Sequence, residues 1–376
     1  VFSHIKDHTN TIFKSLSSEI NYHNQTIKIS HSGTALKSLW DSDKNFMIIH
    51  GDGGCGKSGL VKDMFEHTTE YPVMAFKATD FDCSNISEFS RKFGDYIWDD
   101  LLQSFDDSPR KLCIIDSAEK ALSMKYQDTL YDSIKALLSH GWKILFTIRS
   151  AYLDNFTKYV LRTDYFDEVY IPALSVEMLS ELEQKFSFSL PVNPRLRELL
   201  CNLFYFNLYL SQDRISESQT TADFFESIWQ QVICKVSVQT NSMHMRRGKM
   251  ICKIAQTIAN SGLFYYIPDD NADWDAVTAL NESEILHLDN TMGGYFFAHD
   301  VYEELVLRQI ISQEFSRKVS TSSFFSSIGD SLLARKSFRI WLHNQFEFSY
   351  EKIEQFLSEV LQSTEISPVW KDDILI

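Results

Sequence analysis

Between Phe46 and Leu60 the chain reads FMIIHGDGGCGKSGL, and no other stretch restricts its fold so strongly. A mostly apolar run, Phe46 to His50, leads straight into Gly51-Asp-Gly-Gly-Cys-Gly-Lys-Ser58, a G-x-x-x-x-G-K-S sequence. Such a pattern carries meaning when a strand enters it and a helix leaves it. Here the apolar run predicts the strand, and the stretch from about Gly56 through Glu66 predicts the helix. Small residues let successive backbone N–H groups turn inward around phosphate oxygens, and the helix adds the positive end of its dipole. Lys57 has the reach for β- and γ-phosphates, and Ser58 offers a hydroxyl to Mg²⁺. The predicted phosphate-holding set is Gly51, Gly53, Gly54, Cys55, Gly56, Lys57, Ser58 and Gly59, just ahead of Leu60.

What surrounds the loop predicts an α/β fold. Short apolar runs recur at 46–49, 73–76, 112–115, 144–148 and 167–171, with helical periodicity between them, as in Ser87 to Phe105 and Leu122 to Ser139. Strand, crossover helix and strand in repetition make a parallel sheet covered on both faces. Ligands of such sheets bind beyond the carboxyl ends of the strands, where the glycine loop falls. Phe (28) and Tyr (16) outnumber Gly (13) and Pro (7), which favours helices over a turn-rich sandwich.

Three further residues occupy positions where phosphate chemistry needs them. KLCIIDSAEK (111–120) is an apolar strand ending in Asp116, whose carboxylate at the sheet edge suits Mg²⁺ opposite Ser58. A strand-terminal Asp is also an ordinary helix cap. Glu119 is the candidate to place or activate a water, although the first turn of a helix welcomes Glu for dipole reasons alone. WKILFTIRS ends its strand in Arg149, placed to sense a γ-phosphate as a bidentate donor. A solvated turn arginine is the plainer alternative.

Beyond Ile171 the strands give way to helices. Ser175 is the expected N-cap of an amphipathic helix, and CNLFYFNLYL (201–210) reads as an aromatic core helix. MICKIAQTIANSGLFYY (250–266) predicts a helix stopped at Gly262, Glu282 to Leu286 a short helical turn, and GGYFFAHDVYEELVLRQII (293–311) a hairpin strand passing into a helix. Helices and a small hairpin fit a winged-helix module, with His299 at the strand-to-helix junction. A lone His among aromatics is ordinarily a core residue. The predicted organisation is an N-terminal helical linker over 1–44, expected beside the nucleotide base, a P-loop domain over 45–172 and a helical lid over 173–220. A winged-helix domain over 221–320 and a helical segment over 321–376, the start of a repeat array, follow.

A formal charge of −15 argues against generic nucleic-acid or membrane binding. Six dispersed cysteines without a C-x-x-C pair read as reduced thiols. No leader and no apolar run of about 20 residues is present, so a cytoplasmic protein is expected. A start at Val1 without Met suggests a piece of a longer polypeptide.

Taken together, GDGGCGKS (51–58), CIIDSAEK (113–120), FTIRS (146–150), CNLFYFNLYL (201–210) and FFAHDVYEEL (296–305) resemble the STAND NTPases. These are signal-transduction ATPases with numerous domains, related to AAA+ proteins, and the nearest resemblance is to bacterial antiviral AVAST-type members. Phe338-Arg-Ile-Trp-Leu342 adds to it. The resemblance implies an ATP/ADP and Mg²⁺ switch in which a C-terminal sensor outside this chain meets a phage or pathogen protein, and homo-oligomerisation activates an effector. It also implies that His299 touches the β-phosphate in the closed state. Two positions depart from the pattern: Glu119 is followed by Lys120, which argues for slow turnover, and Leu203 replaces a lid proline. The rival readings are an origin-recognition-like ATPase with a DNA-binding winged helix and a metabolic kinase. The first wants a basic recognition helix, yet Val301 to Ile311 holds Glu303, Glu304 and only Arg308; the second lacks an acceptor signature. No N-K-x-D motif points to guanine.

Overall fold

The computed structural model describes residues 2–14, 19–23, 25–29, 39–66, 70–94, 96–212, 217–236, 242–261, 263–289, 293–317, 320–348 and 350–375. The chain divides into two compact units, Val1–Phe224 and Phe225–Ile376.

The first unit opens with helix α1 (Phe2–Lys14) and a hairpin of β1 (Glu19–Tyr22) and β2 (Gln25–Lys28). Strands β3 (Phe46–Gly51), β4 (Val73–Lys77), β5 (Leu112–Asp116), β6 (Lys143–Arg149) and β7 (Asp167–Tyr170) then form one parallel sheet in the order β4-β5-β6-β3-β7. All five coincide with the predicted apolar runs to within two residues. Central strands buried on both faces must be apolar throughout, so they stand out in sequence. Every residue of β5 is buried, as is every residue of β6 after Lys143.

Connections were less legible. The predicted helix from Ser87 to Phe105 is two short ones, α3 (Ile86–Arg91) and α4 (Trp98–Gln103), with Gly94 between them at φ 143°. The stretch from Leu122 to Ser139 is likewise divided, a 3₁₀ helix over Ala118–Ser123 preceding α5 (Asp128–Ser139). The N-terminal segment does more than link: Ile12, Phe13 and Leu39 pack with Met47, Ile49, Val61 and Met64 of the sheet core. α1 covers edge strand β4, where Thr9 Oγ1 accepts from Ala75 N at 3.1 Å. That edge is three strands from β3, and α1 seals the ladder that would otherwise be open there. Helix α2 (Lys57–Glu66) follows the glycine loop. After β7 come α6 (Val176–Phe186), α7 (Pro194–Leu200) and α8 (Leu203–Leu210). Ser175 caps α6 through Met178 N at 3.1 Å, and Tyr205, Phe206 and Leu208 to Leu210 are buried.

The second unit holds α9 (Met243–Ser261), α10 (Trp274–Glu282), a hairpin of β8 (Leu286–Asp289) and β9 (Gly294–Phe297), and α11 (Asp300–Ser316). Gly262 lies outside the described residues. The helical turn expected at Glu282 to Leu286 is a helix end: Glu284 is left-handed at φ 57° and Leu286 begins β8. Arg247, 3% exposed, donates to the carbonyls of Ile233 (2.8 Å) and Ala279 (2.7 Å) and to Ser283 Oγ (2.9 Å), holding two helix ends together. Helices α12 (Thr321–Ile328), α13 (Leu332–Phe348), α14 (Tyr350–Gln362) and α15 (Pro368–Leu375) pack around Phe324, Phe338, Trp341 and Trp370. Arg335 grips the buried Asp373 through both carboxylate oxygens, at 2.6 and 3.0 Å. Among the described residues no helix is long and apolar enough to cross a membrane.

Candidate functional site

The carboxyl edge of the sheet gathers most of the predicted residues. β3 ends in Gly51, which is paired in register with Arg149 of β6. Ile115 of β5 is paired with Phe146, so Asp116 and Thr147 come next on neighbouring strands. The strand order therefore places the end of β6 between the glycine loop and Asp116.

The loop itself is closely fitted. Gly54 and Gly56 take φ 82° and 100°, which side-chain-bearing residues rarely adopt. A Cβ on Gly51 would meet the Ile171 carbonyl at 2.4 Å, and one on Gly53 would lie 3.3 Å from the Arg149 guanidinium carbon. Cys55 is buried, and burial pushes its thiol pKa up against the pull of Lys57. Lys57 Nζ donates to the Gly51 carbonyl at 3.0 Å and the Asp52 carbonyl at 2.7 Å. Lys57 and Ser58 open α2, whose first N–H groups have no partner within the helix and so mark an anion-binding end. Gly59 and Leu60 continue that first turn, with Leu60 in the core.

Ser58 Oγ donates to Asp116 Oδ1 at 2.9 Å. The same oxygen accepts from Thr147 Oγ1 at 2.5 Å, and Thr147 Oγ1 accepts from Ser117 N at 3.0 Å. Asp116 is 8% exposed and Thr147 1%. A nearly buried carboxylate held by two hydroxyls beside the start of α2 fits the oxygen ligands that Mg²⁺ takes. Ser117 turns left-handed at φ 57°, which carries Glu119 back over the end of β6. There Glu119 Oε2 accepts from Arg149 N at 3.3 Å, and its Oε1 lies 3.4 Å from Arg149 Nε. Both side chains are nearly buried, so these two predicted residues engage one another.

His299 belongs to the second unit. It is the N-cap of α11, its Nδ1 accepting from Val301 N at 3.1 Å, which assigns it a capping role in the backbone.

Three residues escaped the sequence reading. Thr147 is a polar residue inside an otherwise apolar strand, a signal that was present. Asn202 precedes an apolar run and so reads as an N-cap; its Nδ2 also donates to the Gly53 carbonyl at 2.6 Å. His50, within the apolar strand run, is 7% exposed, with Nδ1 2.9 Å from Ser150 Oγ and Nε2 2.8 Å from Glu168 Oε1.

No family model matches the chain, and no curated protein matches it. Among solved structures, it is similar to a STAND protein with a tetratricopeptide repeat sensor from Pyrococcus horikoshii, at 13% identity and a TM-score of 0.39, covering 92% of this chain and 55% of that one. The chain thus spans about half the length of that protein. A Walker-type ATPase of Pyrococcus abyssi matches at 13% identity and a TM-score of 0.35, over 73% of this chain and 93% of that one. AMPPCP-bound DnaA from Aquifex aeolicus matches at 15% identity and a TM-score of 0.34, over 88% and 93%. At such identities and TM-scores, function has to be read from the site.

Proposed function

We propose that the chain binds an adenine nucleoside di- or triphosphate on Gly51–Ser58 and works as a nucleotide-dependent switch with slow ATP turnover. The observation that carries this reading is the 2.9 Å bond between Ser58 Oγ and Asp116 Oδ1 at the mouth of the glycine loop. Those two residues would hold Mg²⁺, which when bound neutralises phosphate charge. Lys57 can leave its two loop carbonyls for β- and γ-phosphate oxygens, exchanging neutral acceptors for charged ones. The guanidinium of Arg149 beside Gly53 supports its role as the group that registers a γ-phosphate. Glu119 serves as the group that places water, and its pairing with Arg149 supports slow turnover: the carboxylate has to leave the guanidinium first.

The finer reading is a STAND-type switch whose ATP-bound form assembles into homo-oligomers and activates an effector in antiviral defence. A sensor outside this chain would recognise the trigger, and His299 would hold the resting state. It rests on the motif resemblance alone. A DNA-binding role is less favoured because α11, which holds the expected recognition stretch Val301 to Ile311, carries Glu303 and Glu304 against only Arg308, and α10, the helix before the hairpin, carries Asp275 and Glu282 and no Lys or Arg.

Titration of purified protein with Mg-ATP and Mg-ADP tests the site. Lys57→Ala should weaken binding at least about tenfold, the worth of a charge-assisted contact. Unchanged affinity would overturn the site assignment.

A further inference from the structure

The glycine loop is gripped from outside by the segment that follows the sheet. Asn202 Nδ2 donates to the Gly53 carbonyl at 2.6 Å, and Phe204 N, in the first turn of α8, points at the Gly54 carbonyl at 3.2 Å. A Cβ on Gly54 would strike Asn202 Oδ1 at 2.4 Å, so the asparagine amide fills the space that glycine leaves. Asn202 Oδ1 accepts from Phe204 N at 3.0 Å, so one side chain both caps α8 and fastens it to the loop.

A peptide unit is planar and trans, with its C=O and N–H on opposite sides. Holding the Gly53 oxygen toward α8 turns the Gly54 N–H away from α8. We propose that Asn202 is a positioning residue for a nucleotide phosphate: it fixes the Gly53–Gly54 peptide so that the Gly54 N–H is presented to a phosphate oxygen. Through it, occupancy of the loop is transmitted to α8. This rests on the nucleotide-binding reading above. An unheld Gly-Gly peptide can flip at little steric cost, so the grip matters most at this bond.

Two variants separate capping from positioning. In Asn202→Ser the hydroxyl still caps α8 but is too short to reach the Gly53 oxygen. Asn202→Asp keeps the acceptor that caps α8 and lacks the donor. Calorimetric titration with Mg-ADP, melting of the nucleotide-free protein and amide hydrogen exchange over Gly51–Ser58 are measured for both. Expected results are affinity at least about tenfold weaker for both, little change in nucleotide-free melting, and loss of ADP-induced exchange protection across the loop. If Asn202→Ser binds ADP within about twofold of wild type, the inference is overturned, and weakening in Asn202→Asp alone then reports only its added charge. If wild type and Lys57→Ala bind ADP equally, it is instead the nucleotide reading that fails.

Discussion

Replacing Thr147 with valine removes one buried hydroxyl and almost nothing else. That hydroxyl donates to Asp116 Oδ1 at 2.5 Å and accepts from Ser117 N at 3.0 Å. Valine repeats the shape without the polar group. A hydrogen bond to a charged group is worth about 1.5–3 kcal/mol, and a buried N–H left unpaired costs about 1–3 kcal/mol. Asp116 keeps its bond from Ser58, so the lower part of those ranges applies, roughly 3 kcal/mol together. In a unit of this size each kcal/mol lowers the melting point by about 2–4 °C, giving a fall of about 6–12 °C. Scanning fluorimetry measures it on the transition that ADP raises, because a ligand stabilises the unit that binds it. A carboxylate no longer held in place should also lose part of the Mg²⁺-dependent gain in nucleotide affinity, and Thr147→Ser should restore both properties. A valine variant melting within about 2 °C of wild type would refute the reasoning, since the hydroxyl would then be holding nothing.

Two further outcomes are expected. Burial pulls the His140 pKa down, but hydrogen bonds to Asp106 (3.0 Å) and Asp99 (3.1 Å) outweigh it and the net value is raised. Stability from a raised histidine is complete below its unfolded value near 6.5 and is lost as pH climbs through the folded value. The melting-point advantage of wild type over His140→Gln should therefore shrink as pH rises above about 6.5, and a gap that widens counts against the pairing. Arg247→Met strands the carbonyls at two helix ends and should destabilise the second unit by about 3 kcal/mol, or about 6–12 °C. Equal melting of that unit in urea or heat would show the guanidinium to be dispensable.

The parts of the fold that could be read in advance are those whose physics is local. A strand buried on both faces has to be apolar along its length, so β3, β5 and β6 appeared as runs. The positive φ values of Gly54 and Gly56 follow from a turn that only glycine makes easily. Helix breaks were harder to see. The amphipathic rhythm of Ser87 to Phe105 continues across Gly94, and nothing local says that the helix breaks there instead of tolerating one weak helical residue.

The same division runs through the site. Asp116 and Arg149 end apolar strands, and strand ends of a parallel sheet converge on one edge, so their neighbourhood followed from topology. What each side chain touches did not. Glu119 reads as a water-placing group three residues past Asp116, but that the left-handed turn at Ser117 also sets it against Arg149 is not legible from that spacing. Asn202 carried a legible capping signal, but the acceptor it shares with the loop is 149 residues away in sequence. A cap residue has one oxygen to spend on its own helix, and the asparagine amide brings a donor besides. Serine or aspartate would have served the helix equally well. The amide is what reaches Gly53, so the choice of asparagine at this cap is explained by the loop.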